Sequence, residues 1–213
     1  MREFSKKYQQ ILNGPLAGIN LTRISEPEEF YHKQILDSVL PLENSEHFKK
    51  RLLETKLLLD VGFGGGFPLV PLAKNLPEVT CLGFEARGKK ATAVSEISKE
   101  LGLENVRPCH IRLEEVLLDK DVVITVKAVA DIRKILEMIK GRDAKVSIFF
   151  YKGPNLQEKE EWASCLAPIG AWTLLEDISY PVEMTDGRRL ISFERNFVPR
   201  GTAKELVNLS ELL

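Results

Sequence analysis

The spacing of apolar residues changes near residue 56. Up to there it is helical: Phe4, Tyr8, Ile11 and Leu12 recur at helical intervals, and Gly14-Pro15 ends the run. Ser25 is placed as an N-cap, with Glu28 and Glu29 in the first turn. The helix it starts carries Phe30, Ile35, Leu36 and Val39 and runs to near Pro41. A third helix is predicted from His47 to Glu54. Beyond residue 56, short apolar runs alternate with amphipathic segments. The runs Leu57–Val61, Val79–Phe84, Val106–Cys109, Val122–Val126 and Val146–Tyr151 read as strands. Leu69–Leu76, Lys89–Leu101, Ile132–Lys140 and Gln157–Leu166 read as the helices between them. Such alternation predicts a parallel, doubly wound sheet covered on both faces. The tail breaks the rhythm. Gly170–Tyr180 and Arg188–Phe197 are joined by Met184-Thr185-Asp186-Gly187, whose Asp-Gly marks an antiparallel hairpin. The expectation is an α/β chain: a helical extension over 1–56, then a domain over 57–213 with a mainly parallel seven-stranded sheet.

The chemistry concentrates where the first strand meets the first helix of that domain. Leu57 to Val61 runs directly into Gly62-Phe63-Gly64-Gly65-Gly66-Phe67-Pro68. Glycines let the backbone turn sharply and let a ligand approach closely. The helix behind them presents unpaired N–H groups, and the crevice beyond the strand ends is the usual binding place in such sheets. A phosphate-cradling loop would need Gly-Lys-Ser/Thr, which is missing. A dinucleotide fingerprint would need a third glycine where Phe67 stands. Asp-x-Gly-x-Gly-x-Gly is matched in full by Asp60, Gly62, Gly64 and Gly66, the form used for S-adenosylmethionine. Glu85, at the end of the next strand, lies where these folds place an acid on ribose hydroxyls. Five parallel strands with an antiparallel pair last is the layout of class I methyltransferases.

Composition narrows the classes. With 44% hydrophobic and 29% charged residues in 213, the chain is long and apolar enough for a real core. Lys and Arg number 30 against 31 Asp and Glu, a net charge of −1, which excludes a polybasic protein. Three Cys and three His are scattered without metal-ligand spacing, so free thiols in a reducing compartment and no metal are expected. The opening residues lack a signal peptide's apolar core, and no apolar run approaches the roughly 20 residues of a bilayer span. The expected location is the cytoplasm.

Taken together, Asn20-Leu21-Thr22, Ile35-Leu36-Asp37-Ser38, Asp60 through Pro68, Gly88-Lys89-Lys90, Arg112-x-Glu114-Glu115, Lys127-Ala128-Val129-Ala130 and Lys152-Gly153 are specific. Over nearly its whole length the chain resembles the bacterial small-subunit rRNA guanine-N7 methyltransferases, the RsmG or GidB family. The resemblance implies S-adenosylmethionine as cofactor, bound at Gly62, Phe67, Leu113, Glu114 and Lys127. It implies an N7-methylguanosine product in a loop of 16S rRNA near the decoding centre. The chain departs from the family pattern at Lys127, where Arg is usual, at Gln34, where His is usual, and at Leu69, where Gly commonly follows Pro68. Its amino-terminal helical region is also short for the family.

Guanine N7 carries a lone pair and no proton, so methyl transfer to it needs no general base. Lys127, ending the fourth strand, is expected to touch cofactor or guanine O6; the alternative is an ion pair with Asp60, Glu85 or Glu114. Asp37 and Ser38 are candidates for the same crevice, and Phe63 or Phe67 for base stacking. Phosphate contacts are expected from Arg23, Arg87, Lys89, Lys90, Arg188, Arg189, Arg195 and Arg200, with Lys204 beside them. The partner would be 16S rRNA or an assembling small subunit, met by a monomer. The sequence also leaves open a methyltransferase for small molecules or proteins, a nicotinamide oxidoreductase, and a non-catalytic RNA-binding relative.

Overall fold

The computed structural model describes residues 1–158, 161, 164–165, 169–198 and 206–213. Its main sheet has seven strands: β1 (Leu57–Val61), β2 (Thr80–Phe84), β3 (Val106–Cys109), β4 (Val122–Lys127), β5 (Ala144–Lys152), β6 (Thr173–Tyr180) and β7 (Arg188–Phe197). Their order is β3-β2-β1-β4-β5-β7-β6. The first five pair in parallel, and β7 runs antiparallel between β5 and β6. The hairpin expected at the carboxyl end is therefore present, with its second strand inserted against β5. A small parallel sheet of Val207–Asn208, Val116–Leu118 and Lys140–Gly141 was not expected; two- and three-residue strands carry too little periodicity to read.

All five residues of β1 are buried, as a central strand covered on both faces requires. Alternate side chains feed two cores. Leu58 and Phe149 join Leu69 and Val94 on one face. Leu57, Leu59, Ile124 and Phe150 join Ile132, Ile135 and Leu136 on the other. The amino-terminal helices close the first face: α1 (Arg2–Asn13), a helical run α2 over 27–39, α3 (Pro41–Asn44) and α4 (Glu46–Thr55). Tyr8, Phe30, Phe48 and Leu52 are fully buried there and share one core with the sheet. Ser45 caps α4, accepting from Phe48 N–H at 2.9 Å and donating to Glu176 Oε2 at 2.6 Å, which ties the helix to β6. Between strands lie α5 (Leu69–Asn75), α6 (Gly88–Glu100) and α7 (Ile132–Met138).

Two expectations shift. Ser25 does not cap α2; the N-cap is Glu26, with Pro27 at the first helical position. Proline's fixed φ sets the start at 27, one residue too late for Ser25, whose carbonyl instead accepts from Gln9 Nε2 at 2.5 Å. The middle of α2, Tyr31–Leu36, is π-helical, and Leu36 is only half-buried. Part of the helix expected over Gln157–Leu166 lies outside the described residues; its first two residues belong to a kinked 3-10 turn over Pro154–Glu158. Among the described residues no helix is long and apolar enough to cross a membrane.

Phe30 contacts both Tyr8 and Phe67 edge to face, with ring centroids 5.9 and 5.6 Å apart. Phe30→Ala is expected to lower stability by about 3–5 kcal/mol, read from urea unfolding.

Candidate functional site

The glycine turn is held from below by Asp60, whose side chain is completely buried. Its Oδ1 accepts from Thr125 Oγ1 of β4 at 2.8 Å, and its Oδ2 from the Leu69 N–H that opens α5 at 3.1 Å. Burial pushes the Asp60 carboxyl up to about 7, against these two hydrogen bonds, which favour the charged form. Above it, Gly62 has φ +69°, and a Cβ there would lie 2.6 Å from Val129 Cγ2. Gly64 has φ +56°, where a Cβ would meet only Gly62 O and Lys90 Nζ, each at 3.9 Å, and its N–H donates to Glu85 Oε2 at 3.1 Å. Tyr8 donates to the Gly65 carbonyl at 2.7 Å, and its hydroxyl fills the space a Gly66 side chain would need. The amino-terminal helices thus help build the turn.

Over this turn opens a crevice of about 630 Å3. Gly62, Gly64, Phe67, Glu85, Leu113, Glu114 and Lys127 all line it, which brings most of the expected cofactor residues together. Asp60 and Gly66 do not: one sits beneath the turn and the other faces Tyr8. Their place in the motif is to shape the turn. Phe67 stacks on Tyr8 at 5.1 Å and Phe63 is 2% exposed, so both rings are spent on packing and neither offers a free face to a base. The Glu85 carboxylate accepts from Gly64 and Arg87 N–H groups, one on each oxygen. Each oxygen keeps a lone pair for a hydroxyl. Donor, acceptor and open glycine wall suit a ribose with its adjoining chain, so the residues present fit S-adenosylmethionine.

A second crevice, of about 370 Å3, adjoins the first and shares Gln34, Lys127 and Ala128 with it. Asp37, Tyr151, Lys152, Arg188 and Lys33 are among its other lining residues. Lys127 pairs with Asp37, Nζ to Oδ2 at 2.6 Å, and not with Asp60, Glu85 or Glu114. The Asp37 partner comes from α2, some 90 residues away in sequence, and no local pattern announces it. Arg188 Nε lies 3.4 Å from Asp37 Oδ1, and the Tyr180 hydroxyl donates to the same oxygen at 3.3 Å. Burial, then the Asp37 charge, drive the Tyr180 phenol well up, keeping it a neutral donor. Ser38 is fully buried and does not line the crevice; its hydroxyl donates to Gln34 O and its carbonyl accepts from Tyr151.

The expected phosphate contacts divide. Arg87 and Lys90 line the first crevice, Lys89 is exposed beside them, and Arg23 is exposed near Leu21 on its rim. Arg188 lines the second crevice. Arg189 is 7% exposed and grips Asp177 with two nitrogens, so it belongs to the sheet rather than to a phosphate face. Arg195 lies opposite Val146 at the start of β5, the sheet end away from the crevices, and packs over the Phe197 ring at 4.2 Å. Arg200 and Lys204 lie outside the described residues. Lys33 and Lys152 were not foreseen as site cations; each is ion-paired, to Glu29 and Glu161.

Known proteins match this architecture. The model of the GidB family, rRNA small subunit methyltransferase G, matches residues 1–167. A Pseudothermotoga lettingae protein named ribosomal RNA small subunit methyltransferase G is 31% identical over 207 residues, 90% of this chain and 85% of its own. One of the same name from Lactobacillus johnsonii is 34% identical over 187 residues, covering 83% and 76% of the two chains. Among solved structures, the mitomycin 7-O-methyltransferase MmcR aligns with a TM-score of 0.60 at 13% identity. It covers 89% of this chain and 60% of that one, a likeness of fold.

Asp60 carries a test of the buried arrangement. Its folded carboxyl holds a proton up to about pH 7, whereas an unfolded one releases it near 3.8. The resulting stabilisation is full below the unfolded value and is lost as pH rises through the folded one. The stability difference between wild type and Asp60→Asn is therefore expected to shrink between these limits by about 1.4 kcal/mol per pH unit. Urea midpoints measured across that range check it.

Proposed function

Because the chain belongs to the GidB family of rRNA small subunit methyltransferases, we propose that its two joined crevices bring S-adenosylmethionine to guanine N7 of 16S rRNA. The observation that carries this reading is the continuity of the glycine-turn crevice with a cation-lined one across Lys127. The cofactor supplies an already activated methyl group on a sulfonium. Glu85 would hold its ribose, the Gly62–Gly65 backbone its chain, and the segment at Leu113 and Glu114 its base. N7 needs no proton removed, so the residues act by placement. Aligning donor and acceptor is worth several kcal/mol, about 7–11 at best. Lys127 lines both crevices and would meet both partners. Exposing the target base from an RNA loop costs less than from a duplex.

The helical extension 1–56 is proposed as one wall of the acceptor crevice, built on the methyltransferase domain 57–213. Gln34 and Asp37 come from the extension, and Lys127 and Arg188 from the domain. The chain would work as a cytoplasmic monomer on 16S rRNA, free or within an assembling subunit.

Mass spectrometry of 16S rRNA from a strain lacking this gene tests the function. One N7-methylguanosine is expected to vanish; an unchanged methylation pattern overturns the reading. The RNA face has its own test. Arg87→Ala is expected to reduce the slope of log affinity against log salt by about one, and Arg195→Ala to leave it unchanged.

A further inference from the structure

Resting on the guanine-N7 reading above, we propose that Asp37 is the residue that reads the base. Its carboxylate accepts the N1–H and N2–H donors of guanine while Lys127 donates to O6. Asp37 is completely buried, yet it lines the second crevice. Its Oδ1 is held by Tyr180 and Arg188, at 3.3 and 3.4 Å. Its Oδ2 accepts no aligned hydrogen bond among the described residues; the Lys127 ammonium stands 2.6 Å away as an ion pair. One oxygen of a fixed carboxylate thus faces the crevice beside the cofactor site behind a single cation, and it opens to a base only as Lys127 swings aside.

The order of groups in the protein matches the order around the purine. From the second crevice to the first come Asp37, then Lys127, then the glycine turn. Around guanine come the N2 and N1 donors, then O6, then N7. Seating the donors on Asp37 sets O6 at Lys127 and turns N7 toward the cofactor crevice. Guanine alone among the four bases presents two adjacent N–H donors to a carboxylate. Adenine would set its N1 lone pair against the acid and leave a buried acceptor unpaired. On entry of the base, the Lys127 ammonium exchanges Oδ2 for O6, and the base N–H groups take its place, so no charge is left alone.

The surroundings keep Asp37 still. Tyr151 donates to the Ser38 carbonyl at 3.0 Å and Tyr180 to Asp37 itself, which pins the end of α2 to β5 and β6. A buried ion pair kept for stability alone would do as well with apolar residues of similar volume. This one borders the acceptor crevice.

The test compares 16S rRNA carrying guanosine or inosine at the methylated position. Inosine keeps N1–H, O6 and N7 and lacks only the 2-amino group. With wild-type protein, kcat/KM is expected to fall about tenfold to a hundredfold on inosine. Asp37→Asn is expected to lose activity on guanosine until the two substrates differ little, with S-adenosylmethionine affinity unchanged by calorimetry. Equal wild-type activity on both RNAs overturns the proposal, and so does an Asp37→Asn protein that still discriminates. Wild-type protein inert on both, whether as free rRNA or as small-subunit particles assembled on it, overturns the guanine-N7 reading and this proposal with it. The wild-type comparison needs no variant, so it decides even if Asp37→Asn does not fold.

Discussion

The whole site hangs on one buried carboxylate. Asp60 joins three elements that sequence keeps apart: it belongs to β1, accepts from Thr125 on β4, and accepts from the first N–H of α5. The contact to α5 fixes where the glycine turn ends. The contact to Thr125 fixes β4 against β1, and Lys127 lies two residues on, on the same face of that strand. A one-residue slip of β4 would turn Lys127 to the opposite face and take it from both crevices. The same bonds oppose the cost of desolvating the acid, and Asp60 stays an unusually weak acid because burial outweighs them.

From that anchor the amino-terminal helices become part of the site. The Tyr8 hydroxyl closes on Gly65, and its ring stacks on Phe67. Gly66 is needed because Tyr8 occupies its side-chain space, a packing reason rather than a ligand-binding one. The extension then reaches round to place Asp37 against Lys127. Helices that share a core with the sheet also line the second crevice, so the packing that folds the chain also shapes that crevice. Loosening α1 would disturb the turn before it disturbed any catalytic group.

The strands, the glycine turn and Glu85 were legible in the sequence because each is a local signal. Strand periodicity, a glycine cluster at a strand end and an acid at the next strand end can each be read within a dozen residues. What escaped depended on distance. Lys127 and Asp37 meet across the chain, and the partners expected for Lys127 were those close to it in the motifs. Counting cations in the tail misplaced Arg189 and Arg195, because charge counts ignore which way and how far a strand runs. Arg188 and Arg195 are separated by seven residues of one strand, roughly 23 Å, which sets them at opposite ends of the sheet. Their neighbour Arg189 points to the other face and is held by Asp177. The start of α2 was misread for a smaller reason: Pro27 outranks a nearby serine in deciding where a helix begins.

A net charge of −1 hides how the cations are employed. Lys33, Lys127, Lys152 and Arg188 all border the second crevice, and each already has an acid beside it. Binding an RNA phosphate there exchanges one anion for another and gains less than an unpaired cation would. Arg87 and Lys89, exposed at the rim of the first crevice, are better placed to release counterions. On the reading proposed above, affinity for RNA would be modest in its salt dependence, and selectivity would come from the fit of the base within the crevices. Four cations share three acids there, Lys127 and Arg188 both leaning on Asp37, so the second crevice gives up electrostatic grip on an anion for a wall whose charges are mostly paired before any ligand arrives.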